Sequence, residues 1–191
     1  MLGILLTMLR IVGGINRSRK INRVEIDSTR ETSDKVRESV FNLIGQTLSG
    51  VSLDLFAGSG AYGLEALSRG SSFCYFFDNN KKAITTIIDN AKALKEEEKS
   101  LIKLLDYEDA ISYLEANNIK LDFVFLDPPY DFLDYSDIVN RIAPLLYQDG
   151  LVICEMQKNT SLLSVNSLSM IKERVYGIKK IIVYSRNDNA N

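Results

Sequence analysis

Histidine is missing from all 191 residues. Its absence excludes Ser-His-Asp and Cys-His nucleophile systems and histidine-ligated zinc. Whatever chemistry this chain performs runs without an imidazole base. Cysteine is nearly as scarce: Cys74 and Cys154 stand far apart, each within an apolar run. They read as buried free thiols, with no disulfide framework. Proline occurs three times, and no repeat, low-complexity tract or long linker interrupts the sequence. The apolar start, MLGILLTMLRIVGG, is too short to span a bilayer. It also lacks the basic region and small-residue cleavage site of a signal peptide. It reads as an extension ahead of a working start near Met8, and the chain as cytoplasmic.

What is present is an ordinary globular composition, 46% hydrophobic and 25% charged, in a length that suits one domain with a small appendage. The net charge of −2 conceals a pattern. Residues 1–37 hold eight Lys/Arg against four Asp/Glu, and residues 172–191 hold five against two. The stretch between them holds ten against nineteen. Two basic ends flank an acidic body, as in a chain with a localised patch for a polyanion; solvated surface lysines give the same count.

LRIVGG and RKINRVEI are short β-type runs that predict an N-terminal hairpin. TSDKVRESVFNLIGQTL follows with a capping start and Val36, Val40, Phe41, Ile44 and Leu48 at helical spacing. After Gly50, apolar runs at 51–56, 72–77, 100–105, 122–126 and 151–156 alternate with helical segments starting near Ala61, Asn80, Glu108 and Ser136. That alternation predicts an α/β fold, a parallel sheet covered on both faces. The final LSMIKERVYGIKKIIVYS has no helical segment and reads as an antiparallel hairpin. We divide the chain into an N-terminal extension, 1–48, and a main domain, 49–191.

The first strand of the main domain leads into DLFAGSGAYGLEAL, whose Gly58, Gly60 and Gly63 have GxGxxG spacing. Such a turn lies outside the carboxyl ends of the strands, where ligands bind in these sheets. Asp78 ends the second strand, 20 residues after Gly58, and a carboxylate there can accept from both ribose hydroxyls of an adenosine. NAD and S-adenosylmethionine fit that arrangement equally. Asp54, four residues before the first glycine, separates them. An acid there suits the charged methionine part of S-adenosylmethionine and opposes a pyrophosphate.

The fourth strand ends in FLDPPY. Pro128 and Pro129 fix φ and withhold backbone donors, so carbonyls and the Asp127 carboxylate face outward as acceptors. Tyr130 follows, able to stack on a planar ring. This is a site for an exocyclic amino group on a flat heterocycle, and a rigid Pro-Pro turn is the structural alternative.

Together, DLFAGSGAYGLEALSRG, FFDNN, DPPY and the N-terminal RIVGG…TSDKVRESVFNLI resemble the RsmD family, S-adenosylmethionine-dependent enzymes that methylate a guanine N2 in 16S rRNA of the small ribosomal subunit. The resemblance runs from about Leu9 to Ser185. The glycine loop and DPPY alone indicate an amino-methyltransferase; RIVGG and DKVRESVFN narrow it to this family. One departure is Arg30-Glu31-Thr32, where the family has Arg-Pro-Thr.

The resemblance implies a Rossmann-like methyltransferase fold with a seven-stranded sheet, acting as a monomer without metal. It places Phe56, Ala57, Gly58 and Gly60 at the methionine end of the cofactor with Asp54 nearby, and Asp78 with Asn79 at the ribose. Asp109-Ala110 matches the family's adenine position, with Asp106 as a competitor. Asp127, Pro128, Pro129 and Tyr130 take the target base. Arg10, Arg17, Arg19, Lys20 and Arg23 on the hairpin, with Arg30 and Arg37, are the candidates for RNA contact. Three rivals stay open: an amino-methyltransferase for adenine N6 or protein glutamine, a non-catalytic RNA-binding or ribosome-assembly protein, and, distantly, an NAD oxidoreductase.

Overall fold

The structure, a computed structural model, describes residues 8–24, 33–129, 132, 134–160, 165 and 168–186. Its centre is a seven-stranded sheet. β3 (Val51–Leu55), β4 (Phe73–Asp78), β5 (Ser100–Leu104), β6 (Leu121–Leu126) and β7 (Leu146–Gln157) run parallel; β8 (Leu168–Tyr176) and β9 (Lys179–Arg186) form the closing antiparallel hairpin. The strand order is β5-β4-β3-β6-β7-β9-β8. The chain therefore reverses direction across the sheet at β3, and the loop after β3 opens at the switch point. Helices α1 (Asp34–Ile44), α2 (Ala61–Ser68), α3 (Lys81–Leu94), α4 (Tyr107–Ala116) and α5 (Tyr135–Ile142) cover the sheet. The starts of α2 to α5 fall within a residue of those expected from periodicity. No helix among the described residues is long and apolar enough to cross a membrane.

Two layers of core explain the near-continuous apolar strands. Leu53, Leu55, Phe77, Val124 and Val152 pack with α4 and α5 residues such as Ile111, Leu114 and Ile138. On the other face Cys74 and Phe76 meet Leu64 and Leu67 of α2 and Ile87 and Ala91 of α3. Both cysteines are free and buried, as expected, and burial pushes both thiols up.

Some boundaries differ from the expectation. α1 stops at Ile44, where the Gly45 amide bonds Phe41 O, and Leu48 is buried beyond the helix end, its amide donating to Arg69 O. β7 begins at Leu146, earlier than the apolar run LVICEM. The N-terminal hairpin exists, but its strands β1 (Leu9–Arg10) and β2 (Lys20–Ile21) are two residues each. The reason is that α2 and α3 take the neighbouring backbone groups. Val12 N donates to Glu65 Oε2 at 2.8 Å, Asn16 N to Ser68 Oγ at 2.9 Å, and Asn22 N to Asn90 Oδ1 at 2.7 Å.

Glu65 is the centre of that attachment. It is fully buried between two cations, Arg69 Nε at 2.8 Å and Arg37 Nε at 3.6 Å. Arg37 also donates to Arg10 O and, at 2.9 Å, to Asp34 Oδ1. Replacing one partner of such a cluster leaves buried charge uncompensated. Glu65→Ala is expected to lower stability by about 3–5 kcal/mol. Gly63→Ala tests a different constraint: a Cβ there would meet Phe76 Cε1 at 2.3 Å and Cys74 Sγ at 2.7 Å. Urea unfolding should show a loss of about 1–3 kcal/mol from the overpacking.

Candidate functional site

The turn from β3 to α2 is built from three left-handed residues, Phe56 (φ 67°), Gly58 (φ 54°) and Gly60 (φ 77°). Phe56 holds that conformation with a side chain, a strain of the kind that collects at binding sites. Around it the backbone is fixed by short bonds. Ala57 N donates to Phe77 O at 3.0 Å, and Gly60 N to Ala57 O at 2.7 Å. Gly58 N donates to Asp78 Oδ2 at 2.8 Å, and Asn80 N to Asp78 Oδ1 at 2.8 Å. Asp54 accepts from Gly63 N at 2.8 Å, inside the first turn of α2. The first two glycines thus make the turn and the third seats the helix.

Above the carboxyl ends of the strands lies a cavity of about 730 Å³. Asp54, Phe56, Ala57, Gly58, Asp78, Asn79, Asp127, Pro128 and Pro129 line it together. The structure therefore gathers the glycine turn, the ribose-type acid and the Asp-Pro-Pro corner into one space. Tyr130 lies outside the described residues. Five carboxylates line the cavity, those of Asp54, Asp78, Asp106, Asp127 and Glu155, and the repulsion among Asp54, Asp78 and Asp127 is unfavourable on its own. Burial pushes the Asp54 carboxyl well up; the Gly63 bond opposes this, and Asp127 and Asp78 add to it. Asp78 is also raised by burial, opposed by the Gly58 and Asn80 bonds. A cationic ligand would relieve both.

At the β5 side the structure separates the two acids considered for the adenine. Asp106 lines the cavity, where it caps α4 by accepting from Asp109 N at 2.9 Å. Asp109 is exposed and does not line the cavity, and Ala110 faces the core, fully buried. The cap geometry accounts for the difference: the acid before the helix lies at the cavity, while the acid in the first turn does not. Phe56, Tyr107 and Phe132 form an aromatic wall beside Asp106, with centroids 5.3–5.8 Å apart. Phe132 and Tyr107 were not singled out by the sequence.

The basic residues divide. Arg10, Arg17 and Lys20 are exposed. Arg19 places its guanidinium on the carbonyls of Ala93 and Leu94, where it caps the C-terminus of α3. Arg23 is half-buried, and Arg30 lies outside the described residues. Arg37 is corrected outright: it is fully buried and belongs to the Glu65 cluster, so it offers no surface to a phosphate. The hairpin tip sits at the far end of α2, with Ile15 N bonded to Ser68 O, whereas Val24 reaches the cavity.

Sequence reasoning also missed Glu155. It is 2% exposed, accepts from Tyr62 OH at 2.6 Å and pairs with Lys179 Nζ. Like Asp78 it is an acid near the end of an apolar strand, and that pattern was a usable signal.

The family described as conserved hypothetical protein 95 matches residues 9–185. YlbH of Bacillus subtilis is 35% identical over 182 residues, covering 93% of this chain and 99% of its own. Ribosomal RNA small subunit methyltransferase D of Escherichia coli is 30% identical over 182 residues, 93% of this chain and 90% of that one. The solved structure of yhhF from Escherichia coli superposes with a TM-score of 0.80 at 28% identity, covering 94% of this chain and 98% of that chain.

The raised Asp54 carboxyl sets a pH dependence. Its folded-state value lies above the unfolded one, so ionisation opposes folding as pH rises through the folded value. At pH 7 Asp54→Asn, which keeps an acceptor for Gly63 N, should melt about 2–4 °C higher, the shift that about 1 kcal/mol produces. The difference should vanish below about pH 4, near the unfolded value.

Proposed function

The chain belongs to the RsmD family of RNA methyltransferases, and from that premise we propose that it transfers the methyl group of S-adenosylmethionine to the exocyclic N2 of a guanine in 16S rRNA of the small ribosomal subunit. One observation carries the reading. Asp127, Pro128 and Pro129 open into the same cavity as the glycine turn and its carboxylates.

S-adenosylmethionine supplies an electrophilic methyl on a sulfonium centre, and the acidic lining suits its positive charge. The turn 56–60 and Asp54 take the methionine end. Asp78, with Asn79 beside it, takes the ribose. Asp106 and the wall of Phe56, Tyr107 and Phe132 take the adenine.

The N2 lone pair of guanine is delocalised into its ring and is a poor nucleophile. Asp127 and the Pro128 carbonyl accept its two hydrogens and favour a pyramidal nitrogen. They also stabilise the positive charge that develops there as the methyl leaves sulfur for nitrogen, and the surplus proton passes to the Asp127 carboxylate and on to solvent. Holding the reactants in line can contribute about 7–11 kcal/mol, so no strong base is needed and the missing histidine is no obstacle. Tyr130 stacks on the base, returning about 1–3 kcal/mol of the unstacking cost. Arg10, Arg17 and Lys20, on the N-terminal extension 1–48, contact phosphates and fix the register.

Methyl transfer from labelled S-adenosylmethionine to unmethylated small ribosomal subunits tests this, with base analysis of the digest. Label is expected in N2-methylguanosine, with Asp127→Ala slowing transfer by about 100–1,000-fold. Label in N6-methyladenine or in protein would overturn the choice of target. No transfer to the subunits would overturn the reading.

A further inference from the structure

The wall of the cavity on the β7 and β9 side holds an ion pair that the chemistry above does not use. β6 and β7 are in parallel register with Leu126 beside Cys154, so Asp127 and Glu155 follow side by side at the strand ends. β9 adds the third group: Ile181 lies opposite Glu155 and Lys179 opposite Gln157, and the Lys179 ammonium reaches back along the sheet to pair with the Glu155 carboxylate. All three side chains line the cavity. Glu155 is 2% exposed and the Lys179 side chain 14%. Tyr62 OH orients the Glu155 carboxylate from α2, and its own ring is locked by stacking on Phe125 at 5.3 Å and 10°. A desolvated pair of this kind is a weak source of stability, since losing hydration offsets much of the attraction.

We propose that Asp127, Glu155 and Lys179 form an acceptor–acceptor–donor row that reads the Watson–Crick edge of the target base and selects guanine. Guanine presents the complementary order: N2–H donor, N1–H donor, O6 acceptor. Adenine presents its amino group beside an N1 acceptor, and cytosine its amino group beside an N3 acceptor. Either would set a lone pair against the Glu155 carboxylate. Asp127 holds the amine that reacts; Glu155 and Lys179 are positioning residues that decide which ring carries it. Sites built to hydrogen-bond a group reject analogues that lack it, because the buried partners are then unpaired.

The inference rests on the guanine reading, and the test separates the two. Small subunits are reconstituted with guanosine or 2-aminopurine at the labelled position. The analogue keeps the N2 amine and loses N1–H and O6. The wild-type protein should favour guanosine by about 100-fold or more in kcat/KM. Glu155→Gln can donate to the bare N1 of the analogue, and Lys179→Met no longer needs O6. Both should shrink the preference to within about tenfold while S-adenosylmethionine binds within about twofold of wild type. Unchanged preference in both variants would overturn the proposal. So would loss of S-adenosylmethionine binding in both, because the pair would then serve the cofactor. Failure of the wild type on guanosine would instead strike the guanine reading itself.

Discussion

Two strand-end carboxylates hold the turn on which the site depends. Asp54 accepts from the Gly63 amide and sets the start of α2, and Asp78 accepts from the Gly58 and Asn80 amides beside the cavity. The helix can sit there only because Gly63 lets it press on Cys74 and Phe76. The carboxylates that fix the backbone are also among those that give the cavity its sign. Structure and ligand charge are therefore set by the same atoms, and burial holds both carboxyls up until a cation arrives.

A second, opposite arrangement secures the N-terminal segment. There one carboxylate, Glu65, lies between Arg37 and Arg69 and also receives Val12 N. The two glycines of RIVGG belong to this contact. A Cβ on Gly13 would strike the Arg69 guanidinium, and one on Gly14 would strike Ser68 O. The motif thus works as a close seat against α2. It leaves Arg10, Arg17 and Lys20 outward while Arg19 and Arg37 are drawn into structure.

Much of this was legible in the sequence because the signals were local. Apolar strands ending in Asp78 and Asp127, helices with capping starts and the glycine spacing all depend on residues close in the chain. The sheet and the shared cavity follow from them. What was hidden depends on contacts far apart in sequence. Arg37 reads as one more basic residue until Glu65 is placed beside it. Arg19 reads as a phosphate ligand until the end of α3 lies under it. Which of Asp106 and Asp109 lines the cavity turned on a cap, which a pattern shared with other chains did not resolve. Lys179 carries no local sign of its tie to Glu155, since the pairing arises from a hairpin folding back on β7.

A glycine turn ringed by carboxylates takes a cationic adenosine cofactor. The most direct measurement is the melting temperature of the protein with S-adenosylmethionine and, separately, with NAD. Saturation at about 100 times Kd adds about 2.7 kcal/mol to the folded state. S-adenosylmethionine should raise the melting temperature by several degrees, and NAD should leave it unmoved. A shift with NAD, or none with S-adenosylmethionine, would contradict the account.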